Sequence, residues 1–155
     1  MHIADGILNA GVTITSFAVT AGITAFLSSK TKREDIPKIS TVTAVLFVAS
    51  LFHIKLGPTS LHPILTGAGT IILGPQVFIA SLVALFFQAI MFGHGGITAL
   101  GVNAVSIGGG ALIVSLLYII VAGKIKKVGT FYVFAYLQGF FCILLSSIIT
   151  SLLLI

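Results

Sequence analysis

Residues 131–155 read FYVFAYLQGFFCILLSSIITSLLLI, and residues 44–52 read AVLFVASLF, with no charged side chain in either stretch. In lipid the backbone must satisfy its own hydrogen bonds, which leaves helices or a closed barrel as spanning structures. A barrel strand alternates apolar and polar residues over about ten positions. These stretches are apolar on every side, so they read as helices. The longer one exceeds the ~20 residues that a helix needs to cross a hydrocarbon core of ~30 Å.

The rest of the chain is of the same kind. Hydrophobic residues make up 57% of the 155 residues and charged residues 7%, whereas a soluble domain needs about a quarter charged to cover itself. The fold class expected is all-α, a polytopic transmembrane helical bundle of about six spans, forming a single domain over residues 1–155. The spans fall near Val12–Leu27, Ile39–Ile54, Ile64–Leu73, Val77–Phe92, Val102–Ala122 and Thr130–Ile155. The third lies between Pro63 and Gly74-Pro75 and is too short to cross alone, so it should be tilted, shielded by neighbours or re-entrant. Gly67, Gly69, Gly101 and the run Gly108-Gly109-Gly110 allow close helix approach. That run lacks the lysine and the strand-to-helix setting of a phosphate loop.

The charges define an orientation. Lys30, Lys32, Arg33, Glu34, Asp35 and Lys38 form one cluster, and Lys124, Lys126 and Lys127 another. The positive-inside rule assigns both to the cytoplasm, which puts the N-terminus outside. The net charge of +5 is then a feature of topology and gives no reason to expect nucleic acid. The opening residues, Met1-His2-Ile3-Ala4-Asp5-Gly6, carry neither the positive charge nor the apolar run of a removable signal peptide.

This orientation collects His2, His53, His62 and His94 at the outer face. Imidazole is the commonest protein ligand for borderline transition metals. A histidine in second place can offer its imidazole and its own amide nitrogen, and the free amine of Met1 adds a third nitrogen. These close one five-membered and one six-membered chelate ring and leave a fourth in-plane position open. Three in-plane nitrogens favour Ni²⁺ or Cu²⁺, with low-spin Co²⁺ also possible. The bulk of His2 should discourage removal of Met1, and the site requires an unblocked amine. His53 reads as an interfacial histidine, and Cys142 has no partner cysteine for a disulfide.

Three ordered blocks resemble one family. The start Met1-His2-Ile3-Ala4-Asp5-Gly6-Ile7-Leu8, the segment Ser60-Leu61-His62-Pro63 with Thr66-Gly67, and Phe87-Gln88-Ala89 followed by residues 93–103 (GHGGITALGVN) are similar to the CbiM or NikM family. This is the substrate-binding membrane component of cobalt and nickel energy-coupling-factor transporters. The resemblance implies a metal held by the Met1 amine, the backbone and side-chain nitrogens of His2, and the His62 side chain. Co²⁺ or Ni²⁺ is the implied transported substrate. Asp5, Gln88, His94 and Asn103 are expected to brace the site or to pack around it. Gln88 and Asn103 are amides at or inside the membrane, where an unpaired amide is costly, so each should hydrogen-bond to the N-terminal segment or the His94 turn, unless it acts as helix-packing glue.

The same resemblance implies a prokaryotic plasma membrane and a set of partners: a transmembrane coupling subunit, cytoplasmic ATPase subunits that supply the energy, and a small accessory membrane subunit. Family members carry a further C-terminal span, whereas this sequence stops at Ile155. An enzyme is not expected. There is no His-Glu-x-x-His, and of the carboxylates Asp5, Glu34 and Asp35 the last two fall on the cytoplasmic side. A structural or assembly membrane subunit without its own metal site is the competing reading. It accounts for the helices but not for the outer histidines.

Overall fold

The computed structural model describes residues 3–52, 54–56, 59–61, 63–122 and 128–155. Met1, His2, His53, His62 and the basic cluster Lys124, Lys126 and Lys127 lie outside the described residues.

The N-terminal segment leads into α1 (Ala10–Lys30), where the Asn9 side chain caps the helix by accepting the Val12 N–H at 2.9 Å. A 3₁₀ turn at Arg33–Asp35 carries the first charged cluster into α2 (Ile36–Leu51), whose first turn holds Pro37. A two-stranded antiparallel ribbon follows, β1 (Ile54–Leu56) against β2 (Thr59–Leu61), with Lys55 opposite Ser60. Helix α3 (Thr66–Leu73) ends at Gly74, where φ is +56° and Pro75 follows, so the chain reverses into α4 (Val77–Phe92). A short α5 (Leu100–Asn103) continues through a π-helical stretch, Ala104–Gly108, into α6 (Gly109–Ala122), and α7 (Val128–Leu153) closes the chain.

By length and composition, four stretches are able to cross a membrane: Ala10–Lys30, Thr66–Phe92, Leu100–Val121 and Val128–Leu153. The second is interrupted at Gly74. The protein is therefore a helical membrane protein, with α2 at 16 residues and α3 at 8 as shorter members of the bundle. The expected span Val77–Phe92 coincides with α4, the second expected span lies three residues later than α2, and the others differ from the observed helices by two or three residues at one or both ends. Ile54, expected to end the second span, lies instead in β1, because α2 stops at Leu51.

Polar side chains within the helices bond back to the preceding turn, as groups in lipid must. Thr15, Thr24, Thr43 and Ser147 each donate to the carbonyl four residues earlier. Packing follows the small residues. A Cβ on Gly67 of α3 would sit 2.5 Å from Gly139 Cα of α7, and one on Gly101 would sit 2.8 Å from the backbone nitrogen of Phe17. At that second crossing the Thr20 hydroxyl donates to the Gly101 carbonyl at 3.0 Å, which ties α1 to α5. Helix α3, only about 12 Å long at 1.5 Å per residue, is shielded by α6 and α7, with Gly67, Gly69 and Thr70 buried. Large apolar side chains such as Phe26, Ile120, Val133 and Leu152 point outward over the helical surface, as a lipid-facing bundle requires.

Candidate metal-capture site

The N-terminal segment is seated on the bundle by two clamps. In the first, Asn103 meets the backbone of Ile3 on both sides of one residue: Oδ1 accepts the Ile3 N–H at 2.8 Å and Nδ2 donates to the Ile3 carbonyl at 3.0 Å. Both residues are buried, Ile3 at 5% and Asn103 at 2% exposure, so water does not compete for these bonds. An amide is suited to this task because it carries a donor and an acceptor side by side. The sequence places that amide where the chain enters the π-helical stretch, and backbone irregularity of this kind is frequent at functional sites.

The second clamp is Asp5. Its Oδ1 accepts the Thr98 hydroxyl at 2.6 Å and the Ala99 N–H at 2.9 Å. The Thr98 hydroxyl is the largest influence, and together with the amides of Ala99, Thr98 and Ile97 it outweighs the opposing effect of desolvation and holds the carboxyl below its ordinary range. The carboxylate also lies directly against Gly96, where a side chain would collide with it. The turn that presents these groups contains Gly93, Gly95 and Gly96 at φ +64°, +81° and +74°, a conformation that glycine adopts without strain. Gly93 closes α4, and its N–H bonds to the Ala89 carbonyl at 3.1 Å.

Of the residues expected to brace the site, Asn103 and Asp5 do bond to or hold the N-terminal segment. His94 sits half-buried in the glycine turn, with its ring 6.2 Å from that of Phe92. Gln88 is different. Its side chain was expected on the N-terminal segment or the His94 turn, but only its backbone carbonyl takes part, accepting the His94 N–H at 3.2 Å. The Gln88 side chain leaves α4 toward the bundle interior, where Oε1 has no hydrogen-bond partner among the described residues. Sequence reasoning missed Thr98 and Ala99 as partners of Asp5. The only hint was their place in the block that follows the glycine turn.

The three expected ligands, Met1, His2 and His62, lie outside the described residues, and among the described residues no group of three His, Cys, Asp or Glu side chains is placed to hold a metal. What the geometry supplies is a support: Ile3, the residue covalently joined to His2, is fixed at both its amide and its carbonyl.

Known proteins share this sequence and shape. The profile of the cobalt uptake substrate-specific transmembrane region matches residues 2–155. A cobalt transport protein of Clostridium tetani is 34% identical over 140 residues, covering 84% of this chain and 58% of that protein. A cobalt transport protein of Geobacter sulfurreducens is 36% identical over 70% of this chain and 34% of its own length. A fused nickel transport protein of Rhodobacter capsulatus is 35% identical over 68% of this chain and 32% of its own. This chain thus spans from about a third to somewhat over half of these relatives. The crystal structure of a truncated transition metal transporter superposes with a TM-score of 0.82 at 26% identity, covering 99% of this chain and 74% of that one.

Proposed function

The chain belongs to the cobalt uptake substrate-specific transmembrane family, and from that membership we propose that it is the substrate-binding membrane component of an energy-coupling-factor-type transporter, capturing Co²⁺ or Ni²⁺ at the outer face. The ion is held by the amine of Met1, the backbone and side-chain nitrogens of His2, and the imidazole of His62. The observation that carries this reading is the double hydrogen bond from Asn103 to Ile3, which gives the chain's first residues a fixed point on the bundle. A chelate made from a chain terminus loses affinity to the entropy of ordering that terminus, and an anchor one residue away reduces the loss.

Two of the three ligating residues, Met1 and His2, lie on the same short segment, so chelation needs little further ordering beyond bringing in His62. All-nitrogen coordination suits Ni²⁺ and Co²⁺. Helix α2 and the pair α3 and α4 complete about six spans, with the N-terminus outside and both basic clusters in the cytoplasm of a prokaryotic cell. A coupling subunit in the membrane, ATPase subunits in the cytoplasm and a small accessory membrane subunit supply what this chain does not carry. Equilibrium titration of Ni²⁺ and Co²⁺ into detergent-purified protein tests the reading. One ion bound tightly per chain supports it, and no binding of either ion favours a structural or assembly subunit.

A further inference from the structure

Between the last turns of α1 and the side of α6 runs an open groove of about 450 Å³. Its wall on α1 is made by Gly22, Phe26 and Lys30, four residues apart in turn, and by Ile23 and Leu27, so all five share one face of the helix. From Gly22 to Lys30 that wall is about 12 Å long at 1.5 Å per residue. Leu112 and Leu116, one turn apart on α6, form the opposite side, and Pro75 and Gln76 ahead of α4 complete the lining. A Cβ on Gly22 would meet nothing within 4 Å, so the missing side chain leaves the groove wide at that point. Apart from Lys30 and Gln76 the lining is apolar.

The charge at one end decides what fits. The Lys30 ammonium lies 6.0 Å from the centroid of the Phe26 ring, one turn back on α1, so the side chain is folded over the groove and not extended away from it. Among the described residues the ion pair of this cluster is Lys32 with Glu34 at 3.4 Å, and Lys30 has no carboxylate partner. An occupant must therefore be apolar along its length and anionic where it meets Lys30. A helix of 10 Å diameter running 12 Å occupies about 900 Å³, twice the groove, and would need a carboxylate at the membrane edge to answer Lys30. A lipid chain is slender enough, and basic pockets between helices on the cytoplasmic side suit anionic head groups. We propose that the groove is a binding site for one anionic phospholipid, its phosphate paired with Lys30 and an acyl chain laid between α1 and α6. Its place in the cytoplasmic leaflet rests on the orientation proposed above, whereas the site itself does not depend on the metal.

Native mass spectrometry of the detergent-purified full chain tests this, with phosphatidylglycerol and phosphatidylcholine of identical acyl chains as the probes. One phosphatidylglycerol per chain should be retained several-fold better than phosphatidylcholine. Lys30→Gln should abolish that preference, and Gly22→Phe, which sets a ring in the open part of the groove, should lower retention of both lipids. Phosphatidylglycerol should also raise the Tm of the unaltered protein in detergent, and not that of Lys30→Gln. Equal retention of the two lipids, or a preference that survives Lys30→Gln, overturns the proposal. A dimer that Gly22→Phe dissociates would assign the groove to a second copy of the chain and overturns it as well. Should Gly22→Phe fail to fold, Lys30→Gln, which alters an exposed side chain, decides the matter alone. Absence of Ni²⁺ binding would count against the capture site and leave the lipid result standing.

Discussion

The Asn103 side chain grips Ile3 at both its N–H and its carbonyl, at 2.8 and 3.0 Å, across a hundred residues of sequence. Asn103→Leu removes both bonds and leaves two buried backbone groups unsatisfied, each costing about 1–3 kcal/mol. Metal affinity should fall by at least about tenfold, corresponding to ~1.4 kcal/mol of lost anchoring. Ni²⁺ titration together with thermal unfolding in detergent checks this. An unchanged affinity in a well-folded variant would remove Asn103 from the site's support.

Gly96 tests the second clamp. Its φ of +74° disfavours a side chain by roughly 1–2 kcal/mol, and a Cβ there would also collide with the Asp5 carboxylate. Gly93 shares the left-handed conformation, at +64°, but a Cβ on it would meet open space. Gly96→Ala should therefore weaken metal binding well beyond Gly93→Ala. Equal effects in a side-by-side titration would mean that Asp5 contributes nothing to holding the N-terminal segment.

Acid should act through the nitrogens before it acts through Asp5. Because its folded carboxyl lies below the ordinary value, Asp5 adds stability that is complete above about pH 4 and is lost only as pH falls through the lowered folded value. Free imidazole and α-amine titrate near ~6.5 and ~7.7 to 8.0, so going from about pH 8 to pH 5 protonates the proposed ligands while Asp5 stays charged. Affinity should drop steeply over that range, in the unaltered protein and in Asp5→Asn alike. A flat profile would point to carboxylate ligation.

The crossing of α3 and α7 predicts an asymmetric pair of variants. Gly67→Ala pushes a methyl group against Gly139 Cα at 2.5 Å and should cost about 1–3 kcal/mol as the helices part. Gly139→Ala meets nothing within 4 Å and should be nearly neutral. Thermal unfolding of the two proteins side by side decides it, and a reversed order would contradict the observed register.

The helices were readable because apolar composition and length alone define a span, and Gly74-Pro75 marks a break that no helix passes through. Asn103 was readable as an anchor because an amide in lipid must find a partner. Its specific partner, Ile3, and the Thr98 partner of Asp5 depend on how α5 meets the N-terminal segment, which periodicity does not encode. The ribbon at Ile54–Leu56 and Thr59–Leu61 is too short for an alternating pattern to stand out, and the π-helical stretch at Ala104–Gly108 has no sequence signature of its own. Of the two readings the sequence left open for Gln88, its side chain does not take the one that placed it on the N-terminal segment or the His94 turn. Gln88 Oε1 has no partner among the described residues and lines a cavity, and cavities arise from packing that a single sequence does not display.

The central claim is that the metal binds at the chain's own N-terminus, and one experiment addresses it most directly. Ni²⁺ is titrated into the unaltered protein, into a form with one residue added before Met1, and into His62→Ala, with released protons counted. The unaltered protein should bind one ion and release about two or more protons near neutral pH. The extended form, which loses the Met1 amine as a ligand and moves His2 out of second place, should bind at least about a hundredfold more weakly, or ~2.7 kcal/mol, while remaining folded. His62→Ala should weaken binding strongly, whereas His53→Ala should not. Full affinity in the extended form would contradict the account.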